Sequence, residues 1–421
     1  MKYLYLTTMS LAACYVNQAS AQALCDNQTQ APWQYTIDIT HEEQRIDQAK
    51  ITIPSTVEKH QVLVDSFINN IKPVTNDEEI LHHLVKDYAQ QLWNQAVAQV
   101  NDTYDDRPLY WSRIAMSIAL KNHLANHFAG LEASTTHALL WSLETHSRGM
   151  SDEETHFNPA SAKKVVITGF DPFYFDNNIG TSNPSGAAAI QLDDKVIDGV
   201  EFQTVVLPVR FKDFSMSMVE HALSRFYTPT HDNPADVIFT TSLGGSRNTF
   251  LLERFAGLRR SSTAADNQGC FSGGSFFNPI IPYIPYSPTF EFLESSLPIA
   301  AIEPHQGQYQ VDFNQSFVTI DGGANDTTGE AVKLEDIINE ISVSGSGGGY
   351  LSNEVSYRSL WLKEYLGSAV SVGHIHTPIL TTTEIAPDFS SITTQISPYN
   401  LNFNEGLVNQ LEAMIVEGVA D

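Results

Sequence analysis

The strongest constraint on this chain is a change in hydrophobic period near Ser161: apolar residues recur at helical spacing before it, and short β-rich runs alternate with helices after it. Leu81, Leu84, Val85, Tyr88, Leu92 and Trp93 fall on one helical face. Asn76, with Glu79 three residues later, resembles a capping box that opens this helix. A second helix is expected from near Pro108, a good first-turn residue, through Ile114, Ile118 and Leu124. A third carries Leu139, Leu140 and Leu143 and stops near Gly149. Residues 56 to 149 thus read as helices whose apolar stripes form a core.

After Ser161 the runs Lys164–Gly169, Thr204–Val209 and Asp236–Thr241 read as strands, and a helix through Met216, Met218 and Leu223 follows the second. Ile341–Ser344 leads into a glycine run and a helix from about Glu354. Ala369–Ile375 is a further strand, and Asn404–Val419 a closing helix. Strand, loop and helix in this alternation predict an α/β fold, a three-layer α/β/α arrangement on a mostly parallel sheet. In such sheets ligands bind where loops leave the carboxyl ends of the strands. The Pro-, Gly-, Ser- and aromatic-rich stretch between Asp266 and Asn339 reads as long loops covering the sheet.

Composition narrows the class. The chain has 421 residues, 49 acidic and 23 basic, for a net charge of -26. That acidic excess, without a basic stripe, argues against nucleic acid, and no apolar run reaches the ~20 residues of a transmembrane segment. Three cysteines are too few for a disulfide-built scaffold or a four-thiolate zinc site. Lys2, the apolar stretch to Ala13 and Ala19-Ser20-Ala21 read as a signal peptide cleaved after Ala21, with a periplasmic or secreted location. Leu11-Ala12-Ala13-Cys14 resembles a lipobox, a less favoured cut. Cleavage after Ala21 leaves Cys25 and Cys270, which an oxidising compartment invites to pair. The expected organisation is residues 1–21 signal, 22–160 helical region and 161–421 α/β domain, with a loop insertion at about 305–333 read as surface.

Several motifs fail on inspection. The glycine run Gly345–Gly349 lacks the ending of a phosphate loop, and Ser352 is not in a Gly-x-Ser-x-Gly elbow. His123 and His127 have i, i+4 ligand spacing but no adjacent glutamate. His374 and His376 share one side of a strand, a weak metal pair. A better constellation is Ser352 at a strand-to-helix turn, His376 at the end of a neighbouring strand, and Glu253 after the strand ending at Leu243: nucleophile, base and orienting carboxylate. The plainer alternatives are a helix cap for Ser352 and a surface ion pair for Glu253.

Further motifs resemble the pyroglutamyl peptidase I (pyrrolidone-carboxylate peptidase) family. Thr168-Gly169-Phe170-Asp171-Pro172-Phe173 is similar to its opening Thr-Gly-Phe-x-Pro-Phe, and Ser182-Asn183-Pro184-Ser185 to its turn into the first helix. Val206-Leu207-Pro208-Val209 resembles its second strand. Gly245-Ser246-Arg247 through Leu252-Glu253-Arg254 resembles the stretch holding its catalytic glutamate. Asp266-Asn267-Gln268-Gly269 and Ser296-Leu297-Pro298-Ile299 fit further segments. Gly349-Tyr350-Leu351-Ser352-Asn353 lies on its Tyr-x-Cys-Asn motif and Ile375-His376-Thr377-Pro378 on its His-x-Pro motif.

The resemblance spans nearly all of 163–421. It implies removal of an N-terminal pyroglutamyl residue from peptides, a partner with a blocked N-terminus, and no cofactor or metal. Phe170 and Phe173 inherit the stacking of the flat lactam ring, with core packing as the alternative; Asn183 joins them as a substrate-binding position. The chief departure is Ser352, where the family has its nucleophilic cysteine. Two readings stay open: a working serine nucleophile, or a ligand site that no longer cleaves.

Overall fold

The structure is a computed structural model, and it describes residues 33–100, 103–128, 130–151, 157–158, 160–228, 234–321, 332–379 and 398–419. The expected signal, Cys14 and Cys25 lie outside these residues. Cys270 is disulfide-bonded, but because Cys25 is outside, so is the Cys25–Cys270 pairing.

Helices of nine residues or more are numbered α1 (Gln61–Ile71), α2 (Glu78–Val100), α3 (Arg107–His127), α4 (Ala133–His146), α5 (Pro184–Leu192), α6 (Leu351–Leu366) and α7 (Pro398–Val419). The predicted helical stripes are buried: Leu81, Val85, Leu92 and Trp93 of α2 pack with Leu120 and Leu124 of α3 and Leu139, Leu140 and Leu143 of α4. The expected Asn76 capping box is not the cap. Asp77 takes that place, its Oδ1 accepting from the Ile80 amide at 3.0 Å. Helices also begin earlier than expected, with short segments from His41.

The main sheet has seven strands, numbered β1 (Lys163–Phe170), β2 (Val196–Ile197), β3 (Val200–Leu207), β4 (Val237–Arg247), β5 (Thr249–Glu253), β6 (Gln310–Asn314) and β7 (Ser371–Ile379). Their order is β2-β3-β1-β4-β7-β5-β6. β3, β1, β4 and β7 are parallel, whereas β2 runs against β3 and β5 against β7. β6 pairs parallel to β5. One face is covered by α6 and the helical segments of 211–223, the other by α5 and α7. The fold is therefore the three-layer α/β/α arrangement expected, with a helical region preceding it.

Three readings are corrected. Ser342–Ser344 pairs with Val318–Thr319 outside the main sheet. The helix expected through Met216 and Met218 is two short ones, Phe211–Ser215 and Met218–Leu223, broken at Ser217, whose φ is 66°. The 305–333 insertion is not only surface loop, since β6 adds an edge strand to the sheet. Its sequence, Gln-Val-Asp-Phe-Asn, alternates polar and apolar residues, with Val311 and Phe313 turned to the core, a strand signal that the loop reading passed over.

Candidate active site

Two close approaches bring the opening motif to the start of α5. A Cβ on Gly169 would stand 2.2 Å from the Ser185 carbonyl, and one on Gly186 would stand 2.4 Å from the Phe170 carbonyl. Only glycine at both places lets the helix lie this tightly on the end of β1. Asn183 caps α5, accepting from the Ser185 amide at 3.1 Å, while its Nδ2 donates to the Asp171 carbonyl at 3.0 Å. Its Oδ1 also accepts from Ser185 Oγ at 2.8 Å, so the carboxamide is engaged by the loop and helix start that it joins.

Phe170, Phe173, Asn183 and Ser352 line one small cavity together with Val209, Ser242, Leu243, Tyr350 and Leu351. Phe170 is buried and stacks on Phe214, centroids 6.1 Å apart. Phe173 is half-buried and contacts Tyr174 at 4.2 Å.

His376 lies on β7 opposite Ser242 of β4, next to this cavity. Its Nδ1 is 2.6 Å from Glu253 Oε1, with Glu253 2 % exposed and His376 8 % exposed. A buried carboxylate on Nδ1 assigns the proton to that nitrogen and leaves Nε2 as the basic one. The alternative of a surface ion pair for Glu253 is excluded by this burial.

Ser352 is the second residue of α6. Its hydroxyl donates to the Gly347 carbonyl at 3.1 Å, and Gly347 itself borders the imidazole, since a Cβ there would sit 3.3 Å from His376 Cε1. Tyr350, at the N-cap, makes no side-chain cap bond to the first-turn amides of α6.

His374 is not offered as a metal ligand. Its Nδ1 is 2.9 Å from Thr240 Oγ1 and its Nε2 2.8 Å from Ser242 Oγ. Burial, and then His376, hold its pKa well below the usual histidine value, so it is neutral. His123 Nε2 likewise bonds the Val74 carbonyl at 2.7 Å. Among the described residues no group of three or more His, Cys, Asp or Glu could hold a metal ion.

Sequence reasoning missed how the helical region reaches this site. Asp171 is gripped by Arg113 of α3 at 2.5 Å and by Arg148 at 2.8 Å. Arg45 pairs with Asp176, Arg107 donates to the Gly180 carbonyl at 2.7 Å, and Asp106 accepts from Ser182 Oγ and the Asn183 amide. The loop between β1 and α5 is thus held along its length by residues before Ser161. Burial raises the pKa of Glu144, but Arg210, Arg148 and Arg113 more than offset this and hold it well below the carboxylate range. Arginines spread over one helix, a turn and a loop give no local signal in sequence.

Fold and site together define a class: a three-layer α/β protein with a buried Glu–His pair, Glu253 at the end of β5 and His376 within β7 and not at its end as expected, beside an aromatic cavity bearing a serine. Residues 18–144 match the family described as PA0049 N-terminal domain, and residues 164–282 and 319–381 match the family described as PA0049, C-terminal domain. A Pseudomonas aeruginosa protein, PA0049, is 25% identical over 400 residues, covering 75% of this chain and 71% of its own. Two solved structures are similar at lower level. Pyrrolidone carboxyl peptidase from Thermococcus litoralis is 20% identical, with 61% of this chain and 94% of that one covered and a TM-score of 0.38. Bacillus amyloliquefaciens pyroglutamyl peptidase I is 18% identical, with 62% and 98% covered and a TM-score of 0.39.

Proposed function

We propose that this chain is an exported amide hydrolase that removes pyroglutamate, or a similar N-terminal amide, from peptides. The observation that carries the reading is the 2.6 Å Glu253–His376 bond beside a cavity lined by Ser352, Phe170 and Phe173. Ser352 turns its hydroxyl from Gly347 to His376 Nε2 and loses its proton to it as Oγ attacks the pyroglutamyl carbonyl. Amides at the start of α6 stabilise the oxyanion. His376 then returns the proton to the leaving amine as the C–N bond breaks, and water hydrolyses the acyl-enzyme by the same base. Glu253 keeps the imidazole in the tautomer that can accept. Phe170 and Phe173 hold the lactam ring by stacking. The disulfide at Cys270 supports an oxidising compartment, where a hydroxyl nucleophile avoids the oxidation open to a thiolate.

A second reading is a non-catalytic binding protein, and the bond from Ser352 to Gly347 favours it, because that hydroxyl is spent on a carbonyl. Release of a fluorogenic amine from a pyroglutamyl substrate separates the two. The hydrolase reading predicts turnover by the wild type and loss of at least about a thousandfold in Ser352→Ala. A folded wild type that is silent while Ser352→Cys turns over contradicts it and supports the binding protein.

A further inference from the structure

Asn314 closes β6, in the segment between the two stretches that match the C-terminal family. It stands in register with Glu253 at the end of β5. Its Nδ2 donates both protons, to Glu253 Oε2 at 2.7 Å and to the Ser346 carbonyl at 2.9 Å. Its Oδ1 accepts from the Ser316 amide at 3.1 Å and from Ser316 Oγ at 2.7 Å. The Ser316 amide can only donate, so it fixes which end of the Asn314 amide is oxygen and aims the nitrogen at Glu253.

Ser346 precedes Gly347, which holds the Ser352 hydroxyl. Ser346 is itself fastened: its Oγ donates to the Ser316 carbonyl at 2.7 Å, and its amide donates to the Phe255 carbonyl. One side chain therefore ties the carboxylate of the Glu253–His376 pair to the glycine loop that leads into Ser352. Glu253 Oε1 is taken by His376, so Asn314 occupies the other oxygen and limits rotation of the carboxylate about its last bond.

We propose that Asn314 is a positioning residue, supplied by the inserted strand, which fixes Glu253 and the glycine loop relative to each other so that His376 and Ser352 meet. The proposal rests on the hydrolase reading for its kinetic arm but not for its spectroscopic one. Charged or titratable groups around the pair are few: His374 is neutral at 4.7 Å from the His376 ring, and Arg254 turns away to Glu294.

Asn314→Asp keeps the shape and both Ser316 contacts but replaces the donor with an oxygen facing Glu253 and the Ser346 carbonyl. Asn314→Leu removes donor and acceptor together. Both are expected to lower kcat about ten- to a hundredfold with KM within about threefold, Asp the more severely. Ser316→Ala, which leaves the Asn314 amide in place, should change kcat less than about threefold. Independently of any substrate, the proton on His376 Nδ1 gives a downfield resonance while it is bonded to Glu253. It should shift or broaden in Asn314→Asp and Asn314→Leu and stay put in Ser316→Ala. An unchanged resonance in folded Asn314→Asp overturns the proposal. If the wild type turns over no pyroglutamyl substrate, the hydrolase reading fails alone and this resonance still decides the role of Asn314.

Discussion

In the proposed hydrolase, the His376 imidazole would act through what lies on its far side. A carboxylate 2.6 Å from Nδ1 and nearly sealed from solvent fixes ring and tautomer together, and stabilises the positive charge that develops when Nε2 takes a proton. Glu253→Gln preserves size but can present its amide nitrogen to Nδ1, which favours the wrong tautomer. The expected result is a fall in kcat of about a thousandfold or more with little change in KM, read by steady-state kinetics; retention of wild-type kcat would show that the pair is structural. At this scale the sequence was partly readable. Glu253, Ser352 and His376 were candidates by residue type, but it was the resemblance to the peptidase family that favoured them over a surface ion pair and a helix cap. What Asn183 and His374 do could not be read, because each is defined by the partners of its polar atoms, and these partners come from other strands or loops.

At the scale of elements, the packing of α5 on β1 decides whether the aromatic cavity forms. Gly169→Ala places a methyl 2.2 Å from the Ser185 carbonyl, so helix and strand must separate. We expect a loss of about 1–3 kcal/mol in denaturant unfolding, together with a raised KM; an unaltered unfolding midpoint would show that the contact gives way freely. The parallel strands of the sheet centre were legible because they are buried on both faces and read as continuous Val, Ile and Phe runs. β5 and β6 were not. They are five residues each and lie towards one edge, and the polar–apolar alternation of β6, which turns Val311 and Phe313 to the core, is too short to stand out from the loop-like stretch around it. Ser217 illustrates the converse: its helical neighbours predicted one helix, and a single residue at positive φ divides it.

For the whole molecule, the helical region and the α/β domain are joined by buried charge at the loop carrying Phe173. Arg148→Met removes one grip on Asp171 and on Glu144 and leaves both carboxylates short of a partner inside the protein. Stability should fall by about 3–5 kcal/mol, measured by urea unfolding, and a change under about 1 kcal/mol would mean that the network does not bind the two parts together. The same junction predicts a pH dependence. Burial, and then Asp105, push Asp106 up to about 8, and burial raises Asp193 and Asp266 to about 7. Each folded carboxyl keeps a proton that the unfolded chain loses above about pH 4. The stability it contributes is full below that pH, declines as pH rises, and is gone above the folded value. Unfolding free energy should therefore decrease between about pH 5 and 8, by up to about 1.4 kcal/mol per pH unit for each such group. Asp106→Asn should flatten that slope, and an identical slope in the variant would place the proton elsewhere.

The central claim is that Ser352 is a nucleophile made reactive by His376 and Glu253. Intact-mass spectrometry of the full chain after exposure to a fluorophosphonate, with the adduct mapped by peptide, tests it without assuming a substrate. The account predicts one adduct, on Ser352, that is absent in Ser352→Ala and forms far more slowly in His376→Ala. A folded wild type that takes up no label, or takes it up at another residue, would contradict it.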